Sequence, residues 1–217
     1  MLKKEEILST IIHCAKIYDE NLKNKNYLII FKEGNSLKGL ETIFHPRNFL
    51  HLTGIDINKS EIKTSNEFYK RCLKNKLKSS DFDVPSDGTV ELKLSVLPHL
   101  MQLHRNTNMI GTYDGSKINL QTDKILGNIK GVLGFVYDNG YFVPNTALKA
   151  DIRDITTSYC NRVVAIYSKS KNDEKYTHIR YLAKGVKPED IIKSNILALK
   201  VIFDDTIIED FKEVKLS

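Results

Sequence analysis

The chain has 217 residues, 41% of them hydrophobic, three cysteines and a formal charge of +6 at neutral pH, which is enough for one domain with a core that needs no disulfide or metal staple. Its apolar runs, such as Ile129 to Val136 broken by Lys130, are far too short to cross a bilayer, and the widely spaced Cys14, Cys72 and Cys160 offer neither a disulfide framework nor a C-x-x-C metal site. Lys3, Lys4, Glu5 and Glu6 precede an amphipathic rather than an apolar stretch, which argues against a secretory peptide, so the expected setting is the cytoplasm with no membrane contact.

In chain order, Ile7, Ile11, Cys14, Ala15, Tyr18 and Leu22 recur every three or four residues and predict a helix over 4–23. Tyr27 to Phe31 reads as a strand, Gly34-Asn35 as its turn and Leu37 to Phe44 as the return strand. Thr64-Ser65-Asn66-Glu67 forms a capping box for a helix carrying Phe68, Cys72, Leu73 and Leu77, and Ser79 to Gly88 reads as loop. From Thr89 to His104 strand and helix periods overlap; helix is favoured because the apolar spacing continues to Leu103, although Pro98 opposes it. Three hairpins follow: Asn108 to Tyr113 with Lys117 to Thr122, Gly131 to Tyr137 with Tyr141 to Val143, and Arg162 to Ser168 with Tyr176 to Ala183. Helices first and strands after predict an α+β fold, N-terminal helices packed on an antiparallel β-sheet, in a single domain over 1–217 with a C-terminal extension from Lys187 to Ser217.

Two polar clusters carry the chemistry. In Phe44 to Ile55, the groups of His45, Arg47, Asn48, His51 and Thr53 sit between apolar anchors, and on an extended backbone His51 and Thr53 would face the same way. Val143 to Arg153 again mixes amide, hydroxyl, carboxylate and guanidinium in Asn145, Thr146, Asp151 and Arg153. Each has a plainer explanation: a core or capping role for His51, a solvated helix face for Lys93, a turn and cap for Asn145-Thr146, a structural ion pair for Asp151 with Arg153. Most positive charge is lysine, which meets phosphate as a point charge, so a polyanion such as RNA is the expected partner. A Lys-, Asn- and Ile-rich composition also follows from an AT-rich genome.

Gly127, Gly131 and Gly134 have the wrong spacing for a dinucleotide loop, and neither a P-loop nor a nucleophile elbow is present. Pairs such as Asp81 with Asp83 look like loop or cap residues, so no metal or cofactor is expected. Metal-free RNA cleavage needs a base for the 2′-hydroxyl, an acid for the leaving oxygen, and donors around the phosphate. The expected catalytic set is His51 as proton carrier, Arg153 and Lys93 as cations, and Thr53, Asn145 and Thr146 as donors, with Arg47, Asn48 and Arg162 binding substrate and His45 in reserve.

The run Phe49-Leu50-His51-Leu52-Thr53-Gly54-Ile55, with Phe68-Tyr69, Leu92-Lys93-Leu94, Thr122-Asp123-Lys124, Pro144-Asn145-Thr146 and Asp151-x-Arg153, resembles the phage-associated nuclease-like family grouped with barnase, EndoU, colicin D and RelE, and within it the fourth phage family. The resemblance covers about residues 26 to 184. It implies helices ahead of an antiparallel sheet, a phage or mobile-element origin, and metal-independent ribonuclease activity with His51, Thr53, Lys93, Asn145, Thr146 and Arg153 as the matched positions. The strand-borne glutamate base of barnase has no evident counterpart, Glu41 being nearest. The rival expectation is a non-catalytic binder of RNA or of a protein, such as an antitoxin or a host defence factor; a metal-dependent nuclease is third.

Overall fold

The computed structural model describes residues 2–116 and 120–194. The elements in chain order are α1 (Lys4–Asn21), β1 (Lys25–Glu33), β2 (Ser36–Ile43), α2 (Phe49–Thr53), β3 (Asp56–Ile57), α3 (Ser65–Leu73), β4 (Phe82–Asp83), α4 (Thr89–Leu100), α5 (Leu103–Asn106), β5 (Met109–Thr112), β6 (Lys124–Gly127), β7 (Val132–Asp138), β8 (Tyr141–Leu148), β9 (Asn161–Ser170), β10 (His178–Leu182) and α6 (Pro188–Lys193). Part of the expected strand Lys117 to Thr122 and the tail from 195 to 217 lie outside the described residues.

The expected open sheet under a layer of helices is overturned. The strands run in the order β1-β2-β8-β7-β6-β5-β9, and β9 pairs back onto β1, closing a seven-stranded barrel, while β10 adds to the free edge of β9. β1 is the closing strand: Ile29 lies opposite Leu40 on β2 and Ile166 on β9. Two of the joints were invisible to turn signals, which specify only neighbours in the chain: the β1–β9 pairing spans most of the polypeptide, and β2 meets β8 in parallel at Thr42 and Phe142.

Tyr27 to Phe31 is continuously apolar because both faces of β1 are covered. Tyr27, Ile29 and Phe31 share a core with Leu126, Leu133, Phe135 and Ala147 from other strands and with the apolar sides of α1, α3 and α4. Leu28 and Ile30 pack instead with Ala165, Tyr167, Tyr176 and Ile191. α1 forms where expected and buries Ile7, Ile11, Cys14, Ala15 and Tyr18. The Thr64 hydroxyl caps α3 by accepting from Glu67 N at 3.1 Å. α4 forms despite Pro98, which sits in its last turn. Cys14 and Cys72 are buried thiols, each pushed up to about 12 by desolvation.

Phe49 fixes the segment that carries both imidazoles of the first polar cluster. Fully buried, it packs edge-on against Tyr18 at 5.3 Å and Tyr69 at 5.5 Å and stacks on Phe68 at 6.2 Å. Burying such a ring contributes roughly 1.5–3 kcal/mol. Asp81 is buried and faces Arg71 at 3.4 Å.

Candidate functional site

His51 and Thr53 do not share a face. Residues 49–53 are helical rather than extended, and two steps of about 100° put the side chains on nearly opposite sides. His51 is exposed, whereas Thr53 is fully buried, its hydroxyl donating to Leu50 O at 2.7 Å and accepting from Ile55 N at 3.4 Å. Gly54 ends α2 with φ 78°, a left-handed conformation suited to glycine, and a Cβ there would lie 2.9 Å from Lys93 Cδ. The Lys93 stem therefore lies along this turn, and Nζ donates to His51 O at 3.2 Å. Burial lowers the Lys93 pKa, with Asp87 acting the other way.

The second cluster is split in the same manner. Asn145 and Thr146 are inside β8, where a bulge between the Gly134–Thr146 and Phe135–Pro144 pairs leaves Asn145 as the extra residue, rather than in a turn after the strand. Asn145 Oδ1 accepts from the Thr122 hydroxyl at 3.2 Å and its Nδ2 donates to Gln121 O. Thr146 is buried over Gly134, where any Cβ would come within 2.6 Å of its Cγ2. Arg153 is exposed and clamped by Asp151 at 2.5 Å, and Arg162 is exposed with its guanidinium donating to Lys184 O at 3.1 Å. α2 packs on both α4 and β8, so His51, Lys93, Asn145 and Thr146 belong to touching elements. Thr146 is nevertheless buried while His51 is exposed, and Arg153 is paired with Asp151.

The structure gathers a different set around His45. Pro46 pushes the preceding residue to an extended backbone, φ −93° and ψ 149°. His45 O accepts from the Tyr18 hydroxyl at 2.8 Å and from Asn48 N at 3.0 Å, while His45 N donates to Asn48 Oδ1 at 3.1 Å. Asn48, expected to bind substrate, is thus buried and positions the imidazole's backbone.

His45 stands where two hollows meet. One, of about 500 Å³, is lined also by Lys23, Arg47, Asn66, Tyr69 and Lys70. The other, of about 140 Å³, is lined also by Asn24, Lys25, Asn26, Tyr141 and Lys171. Lys23, Lys25, Arg47, Lys70 and Lys171 line this groove, and among the described residues no carboxylate lines either half. Behind the lining, Asp19 meets Lys23 at 2.6 Å and accepts from the Tyr69 hydroxyl at 2.9 Å, and Asp138 meets Arg47 at 3.3 Å. Burial holds the His45 pKa below the ordinary imidazole value, Arg47 and Lys171 lower it further, and Asp138 partly offsets them. The Tyr69 hydroxyl is raised by burial and by Asp19.

Such a groove is chemically suited to a strand with phosphates and bases: lysines and an arginine for charge, tyrosine rings and amides for bases, and an imidazole in its proton-accepting form. A match to a protein-family model decides its kinship. The chain belongs to the phage-Barnase-EndoU-ColicinE5/D-RelE like nuclease4 family, whose model matches residues 10–185. This phage-associated nuclease-like family extends over more of the chain than the resembling motifs, reaching into α1. No curated protein and no solved structure matches the chain. Among the described residues no helix is long and apolar enough to cross a membrane, and no group of three or more His, Cys, Asp or Glu side chains is placed to hold a metal ion. Glu41, the nearest sequence candidate for a barnase-type base, accepts from the buried Tyr176 hydroxyl at 2.5 Å.

Sequence reasoning held His45 only in reserve because its partners come from four distant stretches: Lys23 to Asn26, Asn66 to Lys70, Tyr141 and Lys171. The dipeptide His45-Pro46 was the one local signal, since it marks a rigid, extended imidazole.

Proposed function

We propose that this nuclease-family member is an endoribonuclease that cleaves RNA without a metal in the groove around His45, in the cytoplasm of a phage's bacterial host. The observation that carries the reading is a half-buried imidazole, kept below its ordinary pKa, at the junction of two hollows lined, among the described residues, by five bases and no carboxylate. Neutral His45 accepts the proton of the 2′-hydroxyl, whose oxygen attacks the adjacent phosphorus. The bond from phosphorus to the 5′-oxygen breaks, that oxygen takes up a proton, and a 2′,3′-cyclic phosphate remains. Arg47 and Lys171, the two cations acting on His45, stabilise the negative charge gathering on the phosphoryl oxygens. Tyr69 and Tyr141 offer ring faces or edges to bases.

His51, Thr53, Lys93, Asn145, Thr146 and Arg153 have no step in this mechanism. Thr53 and Thr146 are buried, and Arg153 is held by Asp151. That dispersal of the family-matched positions favours a second reading, in which the groove grips RNA or an acidic protein surface without cutting.

Total RNA incubated with the protein in EDTA, beside His45→Gln and His51→Gln variants, separates the readings. Cleavage leaving cyclic phosphate ends, reduced by about 10²–10⁴-fold in His45→Gln and retained in His51→Gln, is expected. Undiminished cleavage by His45→Gln removes His45 as the base. Salt-sensitive binding with no cleavage by the unaltered protein selects the second reading.

A further inference from the structure

An aromatic pair stands at the rim of the groove and has no part in the chemistry described so far. Tyr137 and Phe142 lie opposite each other across the β7–β8 ribbon, with ring centroids 5.3 Å apart and ring planes at 64°. Phe142 is half-buried against the core, whereas Tyr137 is 62% exposed. An edge contact covers at most one face of the Tyr137 ring, so stacking area is left open to solvent. Cross-strand packing explains the contact and leaves that open face unused.

The pair is tied to the groove through Arg47. Asp138, the next residue on β7, accepts from Arg47 at 3.3 Å, and Arg47 lines the larger hollow. Tyr141, opposite Asp138 in the register, lines the smaller one. The 46–48 turn and α2 both lie against β8, and Phe142 packs on the core to which Phe49 and Leu52 of α2 belong. Arg47 therefore stands between the larger hollow and the aromatic pair. The end of the ribbon is also fixed: Asn139 and Gly140 close it in two residues with φ 49° and 92°, Asn139 Nδ2 donates to Asp138 Oδ1 at 2.7 Å, and Tyr137 N donates to Asp123 Oδ2 at 2.9 Å.

The charge around the pair suits a nucleobase rather than a phosphate. Asp123 and Asp138 bring two carboxylates to the Tyr137 backbone and its neighbour, while Lys23, Lys25, Lys70 and Lys171 lie in the groove beyond Arg47. A phosphodiester is repelled by the first group and held by the second. A neutral, planar base is indifferent to that field and gains contact with the open ring.

We propose that Tyr137, backed by Phe142, is a base-stacking subsite for the RNA strand held in the groove: the strand crosses Arg47 by a phosphate and lays a base on the Tyr137 ring. The proposal rests on the RNA reading of the groove. It makes single-stranded RNA the substrate class, because a base inside a duplex is already stacked on both faces and cannot reach the ring.

The test uses a single-stranded 2′-O-methyl oligoribonucleotide, which cannot undergo the cleavage step, in fluorescence anisotropy titrations across a salt series. The unaltered protein is compared with Tyr137→Leu and Tyr137→Phe, and with Tyr159→Leu as an exposed control from the loop before β9. Tyr137→Leu is expected to bind about 5–150-fold more weakly, the worth of one base stacked on an aromatic ring, with the slope of log affinity against log salt unchanged because no cation is lost. Tyr137→Phe and the control should bind like the unaltered protein. The chain has no tryptophan, so Tyr137→Trp places a single indole at the subsite and keeps a ring for the Phe142 contact, which leaves it informative if Tyr137→Leu disturbs the hairpin. Its emission is expected to be quenched by the single strand and not by a duplex of the same sequence, and that of Tyr159→Trp by neither. Unchanged affinity in Tyr137→Leu, or an unquenched Tyr137→Trp with the strand bound, overturns the subsite and leaves the groove reading intact. Equal quenching by the duplex overturns the single-strand selectivity, and no binding of the strand by the unaltered protein overturns both the subsite and the RNA reading. Self-association that is lost in Tyr137→Leu with RNA affinity unchanged gives the ring to a contact between copies and also overturns the subsite. Quenching with no cleavage of any RNA overturns only the catalytic reading and leaves the subsite standing.

Discussion

His45 and His51 belong to one short segment, yet they are placed in opposite chemical circumstances. His45 precedes a proline, is half-buried, and faces five bases, Arg47 from its own segment and four brought from three other stretches. His51 lies on an exposed helical face, and Lys93 bonds its backbone carbonyl rather than its ring. Both carry the same side chain, so their difference is entirely one of surroundings. An imidazole becomes a useful base when burial and nearby cations hold it neutral while an open groove admits substrate, and His45 meets both conditions.

That contrast can be broken or sharpened experimentally. The largest expected effect is on chemistry: His45→Ala should lower the rate of RNA cleavage by about 10²–10⁴-fold with KM little changed, measured on a defined oligoribonucleotide. Next is the anchor common to both imidazoles. Phe49→Ala, in a fully buried site among Tyr18, Phe68 and Tyr69, should cost about 3–5 kcal/mol in urea unfolding and remove both regions together. Gly54→Ala touches only the His51 side, because it strains a left-handed residue and crowds Lys93. It should cost about 1–2 kcal/mol, with cleavage by the remaining folded protein unaltered.

Acidity offers a further test of the His45 side. His45, His99 and His104 all have pKa values lowered chiefly by burial, so between their folded values and the unfolded value of about 6.5 the unfolded chain binds more protons. Their contribution to stability is therefore complete above that unfolded value and is lost as pH falls through the folded values, so the urea midpoint should be higher at neutral pH than in mildly acidic buffer. Cleavage should rise with pH and level off below the ordinary imidazole value. Asp138→Asn removes the charge that raises the His45 pKa and should shift that inflexion further down. The smallest effect belongs to Arg153→Ala, an exposed group paired locally with Asp151, which should leave cleavage and the unfolding midpoint unchanged within error.

Much of the local structure was legible. The period of α1, the Thr64 cap and the hairpin turn at Asn139-Gly140 are encoded within a few residues, and the corresponding elements form. Closure of the barrel was not legible, because pairing Ile29 with Ile166 and Thr42 with Phe142 depends on apolar faces far apart in sequence. The short strand β6 was passed over because Lys124 to Gly127 carries too few residues for a period to register. At the candidate site the error was one of geometry. His51 and Thr53 were paired on an assumed two-residue repeat, and a single helical turn ended by Gly54 separates them. The burial and charge that set His45 apart in that segment arise only after the chain has folded.

Isotope-edited NMR of the histidine rings during titration with a 2′-O-methyl oligoribonucleotide tests the central claim most directly. The His45 ring resonances are expected to shift with saturating ligand while those of His51 stay in place. A shift at His51 with none at His45 would contradict the assignment of the groove.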